Sequence, residues 1–234
     1  MLATCNRLAI LPSRSGTANT HTQEMRTIRL LCAAVFAAGI AISAVAQSNV
    51  YSLNVVGYYN IPVAANQKVL LGNQLHTTND ILGTVIPNPP PLSQFFKYNG
   101  GFTSYQFDDI DLVWTPNPNV SLAPGEGGFF ISPVNTTLTF VGEVLQGRLT
   151  NTLPLNTKVF RCYMVPLAAN ISSVGLPFDP LDQLFTYSGG FTSFQFDDID
   201  LVWTPFEPTL AVGQAFFYIK NGPHTNWVQN FTVQ

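Results

Sequence analysis

Gly100–Pro116 reads GGFTSYQFDDIDLVWTP and Gly189–Pro205 reads GGFTSFQFDDIDLVWTP, so seventeen residues recur with one exchange, Tyr105 against Phe194. A run this similar means that one structural unit is carried twice, and whatever the run does is done twice. The first copy follows Phe95-Phe96-Lys97-Tyr98-Asn99, which places Asn99-Gly100 between two aromatic-rich, alternating segments. Asn-Gly supplies the positive φ angles of a tight hairpin turn, and aromatic residues fit a pleated surface. Ser188-Gly189-Gly190 repeats this grammar. The stretch therefore reads as a β-hairpin, present in duplicate.

The duplication extends outward from the hairpin. Gly57 matches Gly147, Asn66-Gln67-Lys68-Val69 matches Asn156-Thr157-Lys158-Val159, and Leu92 to Phe96 matches Leu181 to Phe185. Leu122-Ala123-Pro124-Gly125-Glu126 matches Leu210-Ala211-Val212-Gly213-Gln214, each followed by a Phe-Phe pair, Phe129-Phe130 and Phe216-Phe217. Further strands are expected over Tyr51–Tyr58, Val69–Leu71, Val159–Val165, Thr136–Val144 and Trp227–Val233. Only Asn79–Val85 suggests a helix, as one or two capped turns. With 17 Pro and 17 Gly punctuating short strands, the fold class is all-β: two tandem sandwich- or barrel-like repeats, 47–144 and 145–234. The join, Glu143 to Gly147, lacks a Pro-, Ser- or Gly-rich linker, so the repeats are expected to pack closely.

The first 46 residues read as separate from this fold. Met25-Arg26-Thr27-Ile28-Arg29 is a basic start, Leu30–Ile42 is apolar, and Ala44-Val45-Ala46 is a small-x-small cleavage pattern. Residues 25–46 thus read as a secretory signal peptide, and residues 1–24 as an extension of the gene start. The apolar stretch is shorter than the ~20 residues of a membrane span, and no later segment of the mature chain supplies one. Losing residues 1–46 removes Arg7, Arg14, Arg26, Arg29 and Glu24, which takes the formal charge from −3 to −6. An acidic chain with sparse Lys and Arg lacks the electrostatic footprint of a nucleic-acid binder. Cys5 and Cys32 leave as well, so Cys162 remains without an internal disulfide partner and reads as a small buried hydrophobe.

The order Val55-Val56-Gly57-Tyr58, Phe96 to Tyr105, Trp114-Thr115-Pro116 and Leu122 to Phe130 resembles the tandem β-repeat module of uncharacterised exported bacterial proteins. The resemblance covers nearly the whole mature chain and implies export, to the medium, a periplasm or the cell surface. It attaches no activity to the module. Some such proteins end in a hydrophobic sorting tail, whereas this chain stops at Phe231-Thr232-Val233-Gln234, which points to a released or non-covalently retained protein.

Two sets of residues are candidates for chemistry. Asp108, Asp109 and Asp111, with Asp197, Asp198 and Asp200, offer carboxylate oxygens of the kind calcium prefers, but without the Gly and distal Glu of a loop-type calcium motif. The competing reading is an acidic bend whose Asp side chains cap their own backbone. A glycosidase needs two carboxyl groups facing each other across a sugar, which neighbours on one short segment cannot do. The second set is aromatic: Tyr98, Tyr105 and Trp114 in the first repeat, Tyr187 and Trp203 in the second. Exposed, these rings would stack on a sugar or a partner side chain; otherwise they fill the core. His76 and His224 lie in no zinc-like spacing and read as lone surface residues. No catalytic residue, cofactor or resident metal is assigned. The chain reads as an exported, non-enzymatic protein with a structural, adhesive or interaction role, whose candidate partner is a polysaccharide, the envelope or another protein. A carbohydrate-binding module is the alternative, and a hydrolase using the Asp runs comes third.

Overall fold

Residues 55–233 are described by the structure, a computed structural model, and they pass through two matching inventories of strands. The first repeat contains β1 (Val56–Val63), β2 (Lys68–Gly72), the short helix α1 (Leu82–Val85), β3 (Gln94–Tyr98), β4 (Phe102–Phe107), β5 (Trp114–Thr115), β6 (Gly127–Ile131) and β7 (Thr136–Glu143). The second contains β8 (Gly147–Thr152), β9 (Lys158–Cys162), β10 (Ala169–Asn170), a 3-10 turn (Ile171–Val174), β11 (Gln183–Tyr187), β12 (Phe191–Phe196), β13 (Trp203–Thr204), β14 (Thr209–Leu210), β15 (Ala215–Ile219) and β16 (Asn226–Phe231). The expected signal peptide, the extension before it and the first part of the Tyr51–Tyr58 segment lie outside the described residues. Among the described residues, no helix is long and apolar enough to cross a membrane.

Each repeat builds the same antiparallel sheet, in the order β2-β6-β3-β4-β5 and β9-β15-β11-β12-β13. The duplicated hairpin is its centre. Tyr98 pairs with Phe102 and Tyr187 with Phe191, across turns in which Gly100 and Gly189 take φ of 71° and 75°. The segments expected to close each repeat pair with its opening strand, β7 with β1 and β16 with β8. Backbone detail is duplicated too: Asn66 and Asn156, Leu92 and Leu181, and Leu112 and Leu201 all have positive φ, and the Thr115–Pro116 and Thr204–Pro205 bonds are both cis. The helix forms where expected but without its side-chain cap. Asp80 instead closes the preceding turn, accepting from the Thr77 N–H at 2.7 Å.

The consecutive Phe pairs explain how the repeats join. Side chains along a strand alternate faces, so a strand with two large apolar neighbours in a row must be covered on both sides. Phe130 and Phe95 face the core of the first repeat, with Trp114, Leu122 and Phe140. Phe216 and Leu184 face the core of the second, with Trp203 and Trp227. Phe129 and Phe217 turn the other way and meet in a third cluster with Leu70, Phe160, Cys162 and Ala215. The two repeats thus share a core, and the described residues form one compact unit.

The contacts across this shared core are reciprocal, as in an isologous twofold interface. The Gly72 N–H donates to Gly213 O at 2.8 Å, and the Cys162 N–H donates to Gly125 O at 3.0 Å. Gly72 corresponds to Cys162, and Gly125 to Gly213, in the two repeats. Residues nearest the axis therefore face their own counterparts. A Cβ on Gly72 would lie 2.3 Å from the Cys162 Cβ, and one on Gly127 would lie 2.6 Å from the Ala215 Cβ. Gln74 adds a tie, donating from Nε2 to Tyr163 O and Val165 O and accepting from the Gly213 N–H at 2.7 Å. Gly72→Ala is expected to destabilise the fold by about 1–3 kcal/mol through overpacking. Adding Cys162→Gly should restore part of that loss, because the partner atom is gone; a urea-denaturation double-mutant cycle reads the coupling.

The repeats diverge at one buried position. Ser93 and Ser132 of the first correspond to Asp182 and Lys220 of the second, and all four are buried. Lys220 Nζ donates to Asp182 Oδ2 at 2.5 Å and to Pro177 O at 2.7 Å, and also pairs with Asp179. Tyr218 OH donates to Asp182 Oδ2, and the Asn221 N–H to Oδ1, each at 2.6 Å. Lys220→Ser should cost about 3–5 kcal/mol, because it leaves a buried carboxylate without its countercharge. The double change Asp182→Ser with Lys220→Ser, which reproduces the first repeat's pair, should cost less than the single one in the same denaturation assay.

Candidate functional site

The shared aromatic cluster is not fully covered. Phe102 and Phe191, at the start of the second strand of each hairpin, leave 54% and 55% of their surface exposed. They line a cleft of about 420 Å³ together with Lys68, Tyr98 and Phe129 from the first repeat and Lys158, Tyr187 and Phe217 from the second. Every residue on one side has its repeat counterpart on the other: 68 with 158, 98 with 187, 102 with 191, 129 with 217. The cleft therefore straddles the axis that relates the repeats. Its floor is rigid. Phe160 stacks on Phe217 with ring centroids 3.8 Å apart, and Tyr98–Phe102 and Tyr187–Phe191 meet edge to face at 5.1 Å. Lys68 Nζ stands 5.2 Å from the Phe129 ring centre, and Lys158 Nζ 5.4 Å from that of Phe217, within cation–π range. Among the described residues neither lysine has a carboxylate within salt-bridge distance.

A second cavity, of about 620 Å³, shares Tyr98 and Lys158 with the cleft. Its wall is polar. Glu126 pairs with Lys97 at 3.0 Å and accepts from Ser121 Oγ at 2.6 Å and the Ala123 N–H at 2.9 Å. Burial pushes the Glu126 carboxyl up, but the Lys97 charge and these hydrogen bonds outweigh it and hold it below its usual value. Arg161 donates to Thr152 O and Phe160 O. Burial lowers its guanidinium, countered by Glu126, yet an arginine starts high enough to stay charged at neutral pH. This cavity belongs to one side only, since Thr186, Gln214 and Leu71 stand where Lys97, Glu126 and Arg161 have their counterparts.

The residues singled out from sequence separate into distinct groups. Tyr98 and Tyr187 line the cleft, and Tyr105 contributes to the polar cavity while itself largely buried. Trp114 and Trp203 are buried in the cores of their repeats, at 1% and 6% exposure, and present no face for a ligand. The Trp114 indole N–H instead donates to Ile86 O at 2.8 Å. The acidic runs form matching bends. Asp108 Oδ1 accepts from the Ile110 and Asp111 N–H groups, and Asp197 Oδ1 from those of Ile199 and Asp200, all at 2.8 Å. These bonds hold the Asp108 and Asp197 carboxyls below their usual value. They engage one oxygen of each of these two carboxyls. Among the described residues no group of three or more metal-ligating side chains converges, around Asp109, Asp111, Asp198, Asp200 or elsewhere. Cys162 is fully buried, and burial pushes its thiol up to about 12, far from a reactive thiolate.

The histidines are not the lone side chains the sequence suggested. His76 Nδ1 meets Asp80 Oδ2, and His224 Nδ1 meets Asp179 Oδ1, each at 2.6 Å. Sequence reasoning also passed over Lys68 and Lys158, although their duplication in a chain poor in basic residues was a readable signal. Lys97, Glu126 and Arg161 carried no such signal, because they are not duplicated. No protein-family model, curated protein or solved structure matches the chain.

The Lys97–Glu126 pair yields a pH prediction. A carboxyl held below its unfolded value stabilises the fold above that value, and the contribution is lost as pH falls through the folded one. Lys97→Met removes the charge that offsets burial. Its loss of melting temperature relative to the parent should be largest near neutral pH and shrink as pH falls through the lowered value of the Glu126 carboxyl, below which it is protonated in both proteins.

Proposed function

We propose that this chain is an exported, non-catalytic β-repeat binding protein whose interaction site is the aromatic cleft between its repeats, and whose ligand is a saccharide. The observation that carries the reading is the assembly of four matched residue pairs into one cleft, with aromatic rings half-exposed at its mouth. Aromatic faces stack on the apolar faces of sugar rings, and a preformed floor costs little ordering on binding. Export is supported by the Met25–Ala46 pattern, and the resemblance to exported β-repeat modules agrees with it. The non-catalytic reading is supported by the carboxylates. Glu126 is the single acid lining either cavity, and it is held by Lys97. Asp108 and Asp197 are engaged by their own bends. Opposed acid and base across a bound sugar, as hydrolysis needs, are not offered by that arrangement.

The test is binding of the purified protein to a panel of oligosaccharides by calorimetry. Phe102→Ala with Phe191→Ala should weaken the best ligand by about 30-fold, taking each ring as worth on the order of 1 kcal/mol. Both rings are more than half exposed, so the double variant should keep a near-parental melting temperature. Unchanged affinity in that variant, or an empty panel, overturns the reading.

A further inference from the structure

The charge distribution narrows the ligand. The described residues hold six basic side chains, Lys68, Lys97, Arg148, Lys158, Arg161 and Lys220, against twelve acidic ones. Four of those six line the cleft or the cavity that shares Tyr98 and Lys158 with it, while of the twelve acids only Glu126 does. The two remaining cations lie elsewhere: Lys220 is buried against Asp179 and Asp182, and Arg148 is on an exposed part of β8. The linings of the cleft and of that cavity thus carry a net positive charge in a molecule whose formal charge is −6 once residues 1–46 are set aside. Such a pattern concentrates an anion at these linings while the rest of the surface repels it. The two lysines at the cleft are also held in place. Each ammonium sits over two rings, Lys68 over Phe96 and Phe129 at 5.6 and 5.2 Å, Lys158 over Phe185 and Phe217 at 5.5 and 5.4 Å. With no carboxylate partner among the described residues, both ammonium groups are free to take one from a ligand.

We infer that the cleft binds an acidic saccharide, a uronate-containing chain whose ring faces stack on Phe102, Phe191, Tyr98 and Tyr187 while its carboxylates pair with Lys68 and Lys158. This rests on the saccharide reading above and adds the charge. Stacking and charge ask for different parts of the same ligand: an apolar sugar face for the rings, and a carboxylate at the sugar's edge for the rim lysines. A uronate supplies both on one ring. A single-stranded nucleic acid also offers flat faces and anionic groups, but it places one charge on every nucleotide. Only Glu126 opposes the cations lining the cleft and its neighbouring cavity, but the described residues carry twelve acids against six basic side chains, and that excess favours a ligand of sparser charge.

The probes are oligouronates of galacturonate, mannuronate and glucuronate type, each beside its own methyl ester, which keeps the ring and removes the charge. At least one acid is expected to bind about tenfold more tightly than its ester at low salt, as two rim ion pairs allow, with the preference fading toward 1 M salt. Lys68→Met with Lys158→Met should abolish the preference, bringing acid and ester to equal affinity. Equal binding of acid and ester overturns the charge inference and leaves the saccharide reading standing. No binding of any acid or ester overturns both. Tighter binding of a single-stranded oligonucleotide than of every uronate overturns the ligand class. A preference that survives the double lysine change shows that the acid is read elsewhere, and overturns the assignment to this cleft.

Discussion

Near the axis that relates the repeats, each residue faces its own counterpart, and the rest of the molecule depends on how that meeting is resolved. Two identical residues with side chains cannot occupy the same space on an axis where the backbones nearly touch. The chain solves this by being unequal at those positions: Gly72 opposes Cys162, and Gly127 opposes Ala215. One partner gives up its side chain and the other keeps a small one. A homodimer of one repeat could not do this, since both copies would change together. Fusing the copies in a single chain lets each side differ, and the gain is a close approach. Backbone groups then bond directly across the axis, and Phe129, Phe160 and Phe217 interlock into a core belonging to both halves.

The parts of this architecture written in local sequence were legible, and those set by the axis were not. Asn99-Gly100 and Ser188-Gly189-Gly190 announce hairpins because turn geometry is a property of a few adjacent residues. The all-β class and the close packing of two repeats follow from that grammar and from the linker-free join. Gly72 and Cys162 gave no hint of their contact, since nothing in a glycine or a buried cysteine shows that it faces its own copy. The aromatic residues show the same limit. Tyr98 and Trp114 sit in one hairpin region and looked equivalent as candidates, yet the pleat and register send Tyr98 to the inter-repeat face and Trp114 into the core. Only the sheet order decides between them. The Asp108 and Asp197 bends were legible as self-capping turns, while the exposed Ile110 and Ile199 beside them have no structural account.

Divergence between the copies is as informative as their agreement. The residues lining the cleft agree pairwise, although Phe102 and Phe191 expose half of each ring to water, where an apolar surface contributes little to folding. Disagreement includes the buried Asp182–Lys220 pair against Ser93 and Ser132, and the Lys97, Glu126 and Arg161 wall against Thr186, Gln214 and Leu71. The first replaces a neutral pair with a network that is costly to break on one side alone. The second changes the surface without touching the shared core. Half-exposed aromatic rings and lysines without a carboxylate partner among the described residues thus stand at the same places in both copies.

Duplication also has a different consequence from the one a repeated motif suggests. Two copies of a surface facing separate directions would give two weak contacts and a gain by avidity. Here the copies turn their hairpins toward one another, so four residues from each repeat complete one cleft. Half a cleft is what a single repeat would present, and its aromatic floor includes Phe160 and Phe217 from one side and Phe129 from the other. The cleft therefore needs both repeats to exist. The cleft is matched across the axis, but its surroundings are not: the polar wall of Lys97, Glu126 and Arg161 exists on one side alone, so divergence between the copies has made the two ends of a symmetric cleft unequal.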